Sequence, residues 1–279
     1  SQLTFSTSMP LRTIFGEDYV LLDRHCLVVA KYIEGIVMTR EALNKQSDDV
    51  RDLVLFRVGE QIAQIHKELN QLDMECSDYY REYMVGNNLK DYLITALDLM
   101  GDYCEEEEWD IIRKDIQEML KVDLNSLEEQ WIHRDCHIDN FVFNEDFSVS
   151  GVLDWDHLSI GIRLIDPSYF LYQLNKWDLK EEAAKNRWNR DFENLIAGFQ
   201  SVLPISKNEL KYWYYITKCI SISFIIYFIQ SENPSWSKID IEALIWIIKN
   251  QAESYIYIDI NNFQIQIYHF RIYFNLFSQ

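Results

Sequence analysis

Along the first 35 residues, short apolar and β-branched runs alternate with turn residues: LRTIFG, the turn GED, then YVLLDR and HCLVVAKYIEG. Such runs predict an antiparallel meander. The period changes at Asp48. In DDVRDLVLFRVGEQIAQIHKEL, Leu55, Val58, Ile62, Ile65 and Leu69 recur three and four residues apart, which predicts one face of a helix of about five turns. His66 lies beside that stripe and reads as structural. Helical patterning resumes from about Asn88 to Tyr103. It returns after the acidic run Glu105 to Glu108, read as a charged first turn favoured by the helix dipole, and continues through Leu120. From the middle of the chain to about Tyr255 it dominates again, punctuated by Pro204 and Pro234. The tail YIYIDINNFQIQIYHFRIYFNLF alternates like a hairpin around Asn261 and Asn262, yet is too apolar to be left in water. Its status stays open between packing on the helical part and being foreign to the fold.

The stretch WIHRDCHIDNFVF, residues 131–143, interrupts the helical pattern and alternates His133, Asp135, His137 and Asp139. One reading is a metal cluster, since mixed imidazole and carboxylate ligands suit zinc or another transition metal. A straight strand, however, spreads four alternating ligands over roughly 20 Å, and one ion needs them within a few ångströms. The other reading is a catalytic loop for phosphoryl transfer. It requires a carboxylate that takes the acceptor's hydroxyl proton and, five residues later, an amide oxygen that helps hold Mg²⁺. His133-x-Asp135-x4-Asn140 has that spacing. The next segment, FVFNEDFSVSGVLDWD, predicts a strand Phe141 to Phe143, a turn Asn144 to Phe147 and a strand Val149 to Leu153, which returns Asp154 beside Asn140. Two metal ligands and a base converging through one hairpin favour the phosphoryl-transfer loop.

Composition changes this picture only at the edges. The 279-residue chain is 48% hydrophobic and 25% charged, enough for a sizeable core and typical of a globular protein. With 45 acidic and 26 basic residues its net charge is −19, which works against nucleic acid as a partner; such a surface would draw a cationic small molecule, although an acidic surface more often only keeps a protein soluble. Five scattered cysteines without a CxxC indicate neither a disulfide framework nor a zinc ribbon and fit a cytoplasmic setting. There is no signal peptide, and the apolar run Tyr214 to Ile229 is short for a bilayer span and carries Lys218, so it reads as a buried helix and no membrane partner is expected.

The IHRDCHIDNFVF and VSGVLDWD segments, followed by GIRLIDPSYFL, resemble the aminoglycoside phosphotransferase superfamily, which includes choline kinases and homoserine kinase-like proteins. The resemblance covers about Thr4 to Tyr255. It implies an α+β, protein-kinase-like two-lobe fold: a reduced N-terminal β-lobe and hinge over 1–35, a mostly helical C-terminal lobe with the catalytic loop over 36–255, and a tail of uncertain status over 256–279. It also implies ATP and Mg²⁺ as cofactors and a small-molecule hydroxyl as acceptor. Asp135 would be the catalytic base, Asn140 and Asp154 the metal ligands, His133 and Asp166 supports of the loop. The backbone of Lys31 and Ile33 would meet the adenine.

Two departures qualify the match. Arg134 stands where the small-molecule kinases usually have Gly, a larger side chain that would narrow the acceptor pocket. No Gly-rich loop or phosphate lysine precedes the first strands, so either the numbered chain omits an N-terminal segment or this is a degenerate kinase-like binding protein without catalysis; the intact Asp135, Asn140 and Asp154 favour omission. A metal-dependent hydrolase using His133, Asp135 and His137 is the remaining alternative. Glu181, Glu182, Asp191 and Glu193 are candidate acceptor-pocket residues, and Asp156 and His157 either face the acceptor or cap the next segment. Asp139 is expected to face solvent or to cap the loop, while Trp131, Trp155 and Trp177 read as core.

Overall fold

The computed structural model describes residues 6–7, 9–71, 86–124, 126–181, 183–231 and 233–254. The tail at 256–279, and with it the hairpin expectation, lies outside the described residues, as does Glu182.

At the N-terminal end, β1 (Ser6–Thr7), β2 (Val20–Leu22), β3 (His25–Leu27) and β4 (Ile36–Val37) are short. β2 and β3 form an antiparallel hairpin around Asp23, which adopts φ 53°. The expected strand LRTIFG is instead a turn. The Thr13 hydroxyl accepts from the N–H groups of Phe15 and Glu17, and Gly16 N–H donates to the Thr13 carbonyl. A hydroxyl that satisfies local backbone donors draws the chain away from a ladder. One bridge, Pro10 to Ala30, ties this turn to the linker that follows β3.

Helices α1 (Arg40–Asn44) and α2 (Asp48–Leu69) come next, the latter starting at Ser47, whose side chain accepts from Val50 N–H. All five residues of the expected stripe on α2 are buried. α3 (Gly86–Leu99) ends in a 3₁₀ turn, and α4 (Glu106–Met119) opens with a capping box in which Glu105 and Glu108 satisfy each other's backbone donors. The acidic run is thus a helix start, as its position relative to the apolar residues predicts.

β5 (Glu129–Ile132) leads into the central loop, β6 (Phe141–Phe143) and β7 (Val149–Val152) form the expected hairpin, and β8 (Ser159–Ile162) pairs antiparallel with β5. The four-stranded sheet runs β1-β7-β6-β4, with β1 parallel to β7 and β4 antiparallel to β6, so the hairpin that carries the motif sits at its centre. The remaining helices are α5 (Ile165–Asn175), α6 (Ala184–Val202), α7 (Lys207–Leu210), α8 (Trp213–Gln230) and α9 (Ser237–Ser254). α8 contains the apolar run and is a buried helix, its Lys218 ammonium bonded to Asp115 on α4 at 2.9 Å. Among the described residues no helix is long and apolar enough to cross a membrane. Small strands at one end and a helical body at the other give the α+β two-lobe architecture that the resemblance implied.

Candidate active site

The loop between β5 and β6 is built around one buried carboxylate. Asp166, at the start of α5, is fully buried; its Oδ2 accepts from His133 N–H at 2.9 Å and its Oδ1 from Arg134 N–H at 2.7 Å. His66 of α2 reaches the same Oδ2 through Nε2 at 2.7 Å. Burial pushes the Asp166 carboxyl up, but the hydrogen bonds and charge of His66, with His133 and the Arg134 amide, outweigh it and hold the group ionised below its ordinary value. Arg134 adopts φ 70°, the left-handed region that favours glycine. Its side chain does not line the cavity described below, so the expected narrowing of the pocket by Arg134 is not seen: the glycine preference at this position reflects backbone conformation.

His133 is buried, with its ring tilted at 57° against that of Trp155, 4.6 Å away between centroids. Asp135 N–H points to His133 Nδ1 at 3.3 Å, which leaves Nε2 protonated and donating to the Leu153 carbonyl at 3.0 Å. Burial lowers its pKa despite nearby carboxylates, in keeping with a neutral ring. His133 therefore clamps the loop to the residue before Asp154, and it is not placed to bind an ion.

Asp135 is half-buried and engaged on both oxygens. Oδ1 accepts from the Tyr169 hydroxyl at 2.7 Å; Oδ2 accepts from Asn140 Nδ2 at 3.2 Å and lies 3.5 Å from His137 Nε2. Burial pushes its pKa up, but His137, Tyr169 and the more distant His157 draw it down to about 2. His137 also faces Asp139 through Nδ1 at 3.3 Å. Burial lowers the imidazole pKa, and the two carboxylates more than reverse this.

Asn140 is buried and gives its amide hydrogens to the Asp135 carbonyl at 2.9 Å and to the Asp135 side chain. Its oxygen is thereby turned away from Asp135. Leu153 N–H donates to the Asn140 carbonyl at 2.9 Å, which brings the two ends of the hairpin together as its length predicts. Asp154 follows with φ 57° and an exposed side chain. An amide oxygen and a carboxylate oxygen from adjoining chain segments suit Mg²⁺, which takes one or two protein oxygens and fills its shell with phosphates and water. No group of three or more His, Cys, Asp or Glu among the described residues is arranged to hold a metal, so the hydrolase cluster of His133, Asp135 and His137 is not assembled.

Beside Asp135 opens a cavity of about 490 Å³, lined by Arg40, Glu41, Asp135, His137, Asp139 and Tyr169, with Ile138, Gln173, Leu174 and Trp177. The sequence reading placed Trp177 in the core; it is 42% exposed and stands at this cavity, just past the C-terminal end of α5. Conversely, the acids in and just before α6 lie elsewhere. Asp191 is buried in a paired bond with Arg51 (2.8 and 2.6 Å), Glu181 pairs with Arg187, and Glu193 is drawn up by burial near Asp52; none lines the cavity. α6 packs on α2, which directs Asp191 and Glu193 away. Asp156 and His157 are exposed and do not line it either. In the segment before β4, Lys31 N–H donates to the Met9 carbonyl at 3.0 Å, while the Ile33 side chain lies over Gly151 of β7.

A buried Asp anchoring the loop backbone, a half-buried Asp beside a cavity and an Asn–Asp pair across a hairpin are thus joined in one connected site. The model of the phosphotransferase enzyme family, APH, matches residues 9–199, and the chain belongs to that family. No curated protein matches it. Among solved structures, the GDP complex of wild-type aminoglycoside 2'-phosphotransferase-IIIa aligns with a TM-score of 0.62 at 13% identity, over 89% of this chain and 77% of that one. Amicoumacin kinase in complex with AMP-PNP, Ca²⁺ and Ami aligns at 0.62 and 14%, over 90% and 73%. The microcompartment-associated aminopropanol kinase aligns at 0.55 and 10%, over 90% and 77%. At these identities the likeness is one of fold.

Proposed function

We propose that the chain is an ATP- and Mg²⁺-dependent phosphotransferase acting on a hydroxyl of a small, amine-bearing molecule. The carrying observation is the hydrogen-bond set of Asn140, which ties base and metal ligand into one rigid unit beside a cavity. Bound Mg·ATP supplies the transferable phosphoryl group and the charge that neutralises its oxygens. Asn140 and Asp154 are the residues to hold the ion, and the Lys31 carbonyl with the Ile33 amide those to meet the adenine. Asp135 accepts the acceptor's O–H. A carboxylate ionised down to about pH 2 is a weak base, so its main contribution is orientation, with proton transfer late in the reaction.

The cavity favours a cation. Glu41, Asp135 and Asp139 face it, while the Arg40 guanidinium is bonded to Asp178 at 3.1 Å and to Glu41 at 2.8 Å. The Trp177 ring, which already has the Arg40 guanidinium and the Lys176 ammonium 5.8 and 5.5 Å from its centroid, forms part of the cavity wall. Calorimetric titration with ATP, with and without Mg²⁺, tests the reading first. Mg²⁺-assisted binding that Asp154→Ala weakens supports it and leads to a screen of amino alcohols and aminoglycosides. No binding by the 279-residue chain would support the degenerate, non-catalytic alternative instead.

A further inference from the structure

The first turns of α5 grip the catalytic loop twice. Asp166 takes the backbone N–H groups of His133 and Arg134, and Tyr169, three residues later and therefore on the same helix face, donates to the Asp135 side chain. The family resemblance accounts for the first contact and is silent on the second. We propose that Tyr169 is a positioning residue for the catalytic carboxylate, its hydroxyl fixing Oδ1 of Asp135 while Asn140 and His137 hold Oδ2, so that the carboxylate plane is set before an acceptor arrives. This rests on the phosphotransferase reading of Asp135.

The geometry suits that role. At 2.7 Å the bond is in the range of a charge-assisted hydrogen bond, and an ionised carboxylate can only accept, so the phenol is the donor. Burial, followed by the negative charge of Asp135, drives the Tyr169 hydroxyl well above its ordinary pKa and keeps it protonated. Its ring is braced by Phe224 of α8, 5.8 Å away between centroids, so the donor cannot swing freely. Tyr169 also lines the cavity, where a loosened carboxylate would meet the acceptor in the wrong orientation. The other groups that act on Asp135 are His137 and Asn140 on the loop itself, with His133, Cys136 and His157 nearby.

The test is Tyr169→Phe, which keeps the ring and removes the donor. With any acceptor that the wild type turns over, Tyr169→Phe lowers kcat by about ten- to a hundredfold and leaves KM for ATP unchanged. Tyr172→Phe, one turn along the same helix where the hydroxyl serves Asp240, keeps kcat close to the wild-type value. An unchanged kcat in Tyr169→Phe, an equal loss in Tyr172→Phe, or a raised KM for ATP in place of a lowered kcat each overturns the proposal. A wild-type chain that binds Mg·ATP yet transfers no phosphoryl group overturns the kinase reading itself, and is told apart because it is read on the wild type before any substitution.

Discussion

His137 stands between Asp135 and Asp139, and the pair of carboxylates raises its pKa above the ordinary 6.5 in spite of partial burial. A raised folded-state pKa stabilises the protein fully below the unfolded value of 6.5, and the contribution disappears as pH rises through the folded value. Asp135 works in the opposite direction: its depressed pKa contributes stability above 3.8 that is lost as pH falls toward about 2. With the His137 side chain 30% exposed, solvent screening limits the pair to about 1 kcal/mol or less. We therefore expect His137→Gln to lower the urea midpoint at pH 6 and to match the wild type at pH 9. A gap that is the same at both values would show that the imidazole charge is irrelevant. At this scale the sequence was informative where spacing alone defines a role, as in Asp135-x4-Asn140. It was silent where the partner comes from another element. Tyr169 and His66 carry no local signature of contact with Asp135 and Asp166, residues 34 and 100 positions away.

Helix α2 delivers His66 to the loop only because it lies very close to α6. Gly59 of α2 sits against the Leu195 carbonyl, and Gly198 of α6 against the Phe56 carbonyl, so a methyl group at either position would overlap backbone that cannot move aside. The buried Arg51–Asp191 pair fastens the same two helices further along. Gly198→Ala is expected to destabilise the protein by about 1–3 kcal/mol, the usual cost of overpacking, although alanine is the better helix former. Thermal unfolding would show it, and a variant as stable as wild type would mean that the helices tolerate wider spacing. The helices themselves were legible, because stripes such as Leu55 to Leu69 repeat over many turns. α1 and β8 were not, since four or five residues hold too little periodicity. LRTIFG was misread because the Thr13 hydroxyl, and not the apolar run, decides its backbone. The candidate α6 acids were misplaced for a related reason: composition marks a charged helix, while its contact with α2 decides which way the charges face.

For the whole molecule, the net charge of −19 acts at a distance that local contacts do not. An acidic protein with an acid-lined cavity draws cations toward its mouth, raising the encounter rate in proportion to the ligand's charge. Salt shortens that reach, since the Debye length falls to about 8 Å at physiological ionic strength. For a phosphotransferase with a cationic acceptor, kcat/KM for an amine-bearing alcohol is therefore expected to fall several-fold as salt rises from about 0.02 to 0.2 M, while a neutral polyol of similar size shows little change. The comparison must be made on the acceptor at saturating Mg·ATP, because the nucleotide is anionic and its own binding responds to salt in the opposite sense. Equal salt dependence for the two alcohols would mean that the surface charge serves solubility alone, and selectivity for an amine would then rest on Glu41 and Asp139 at contact range.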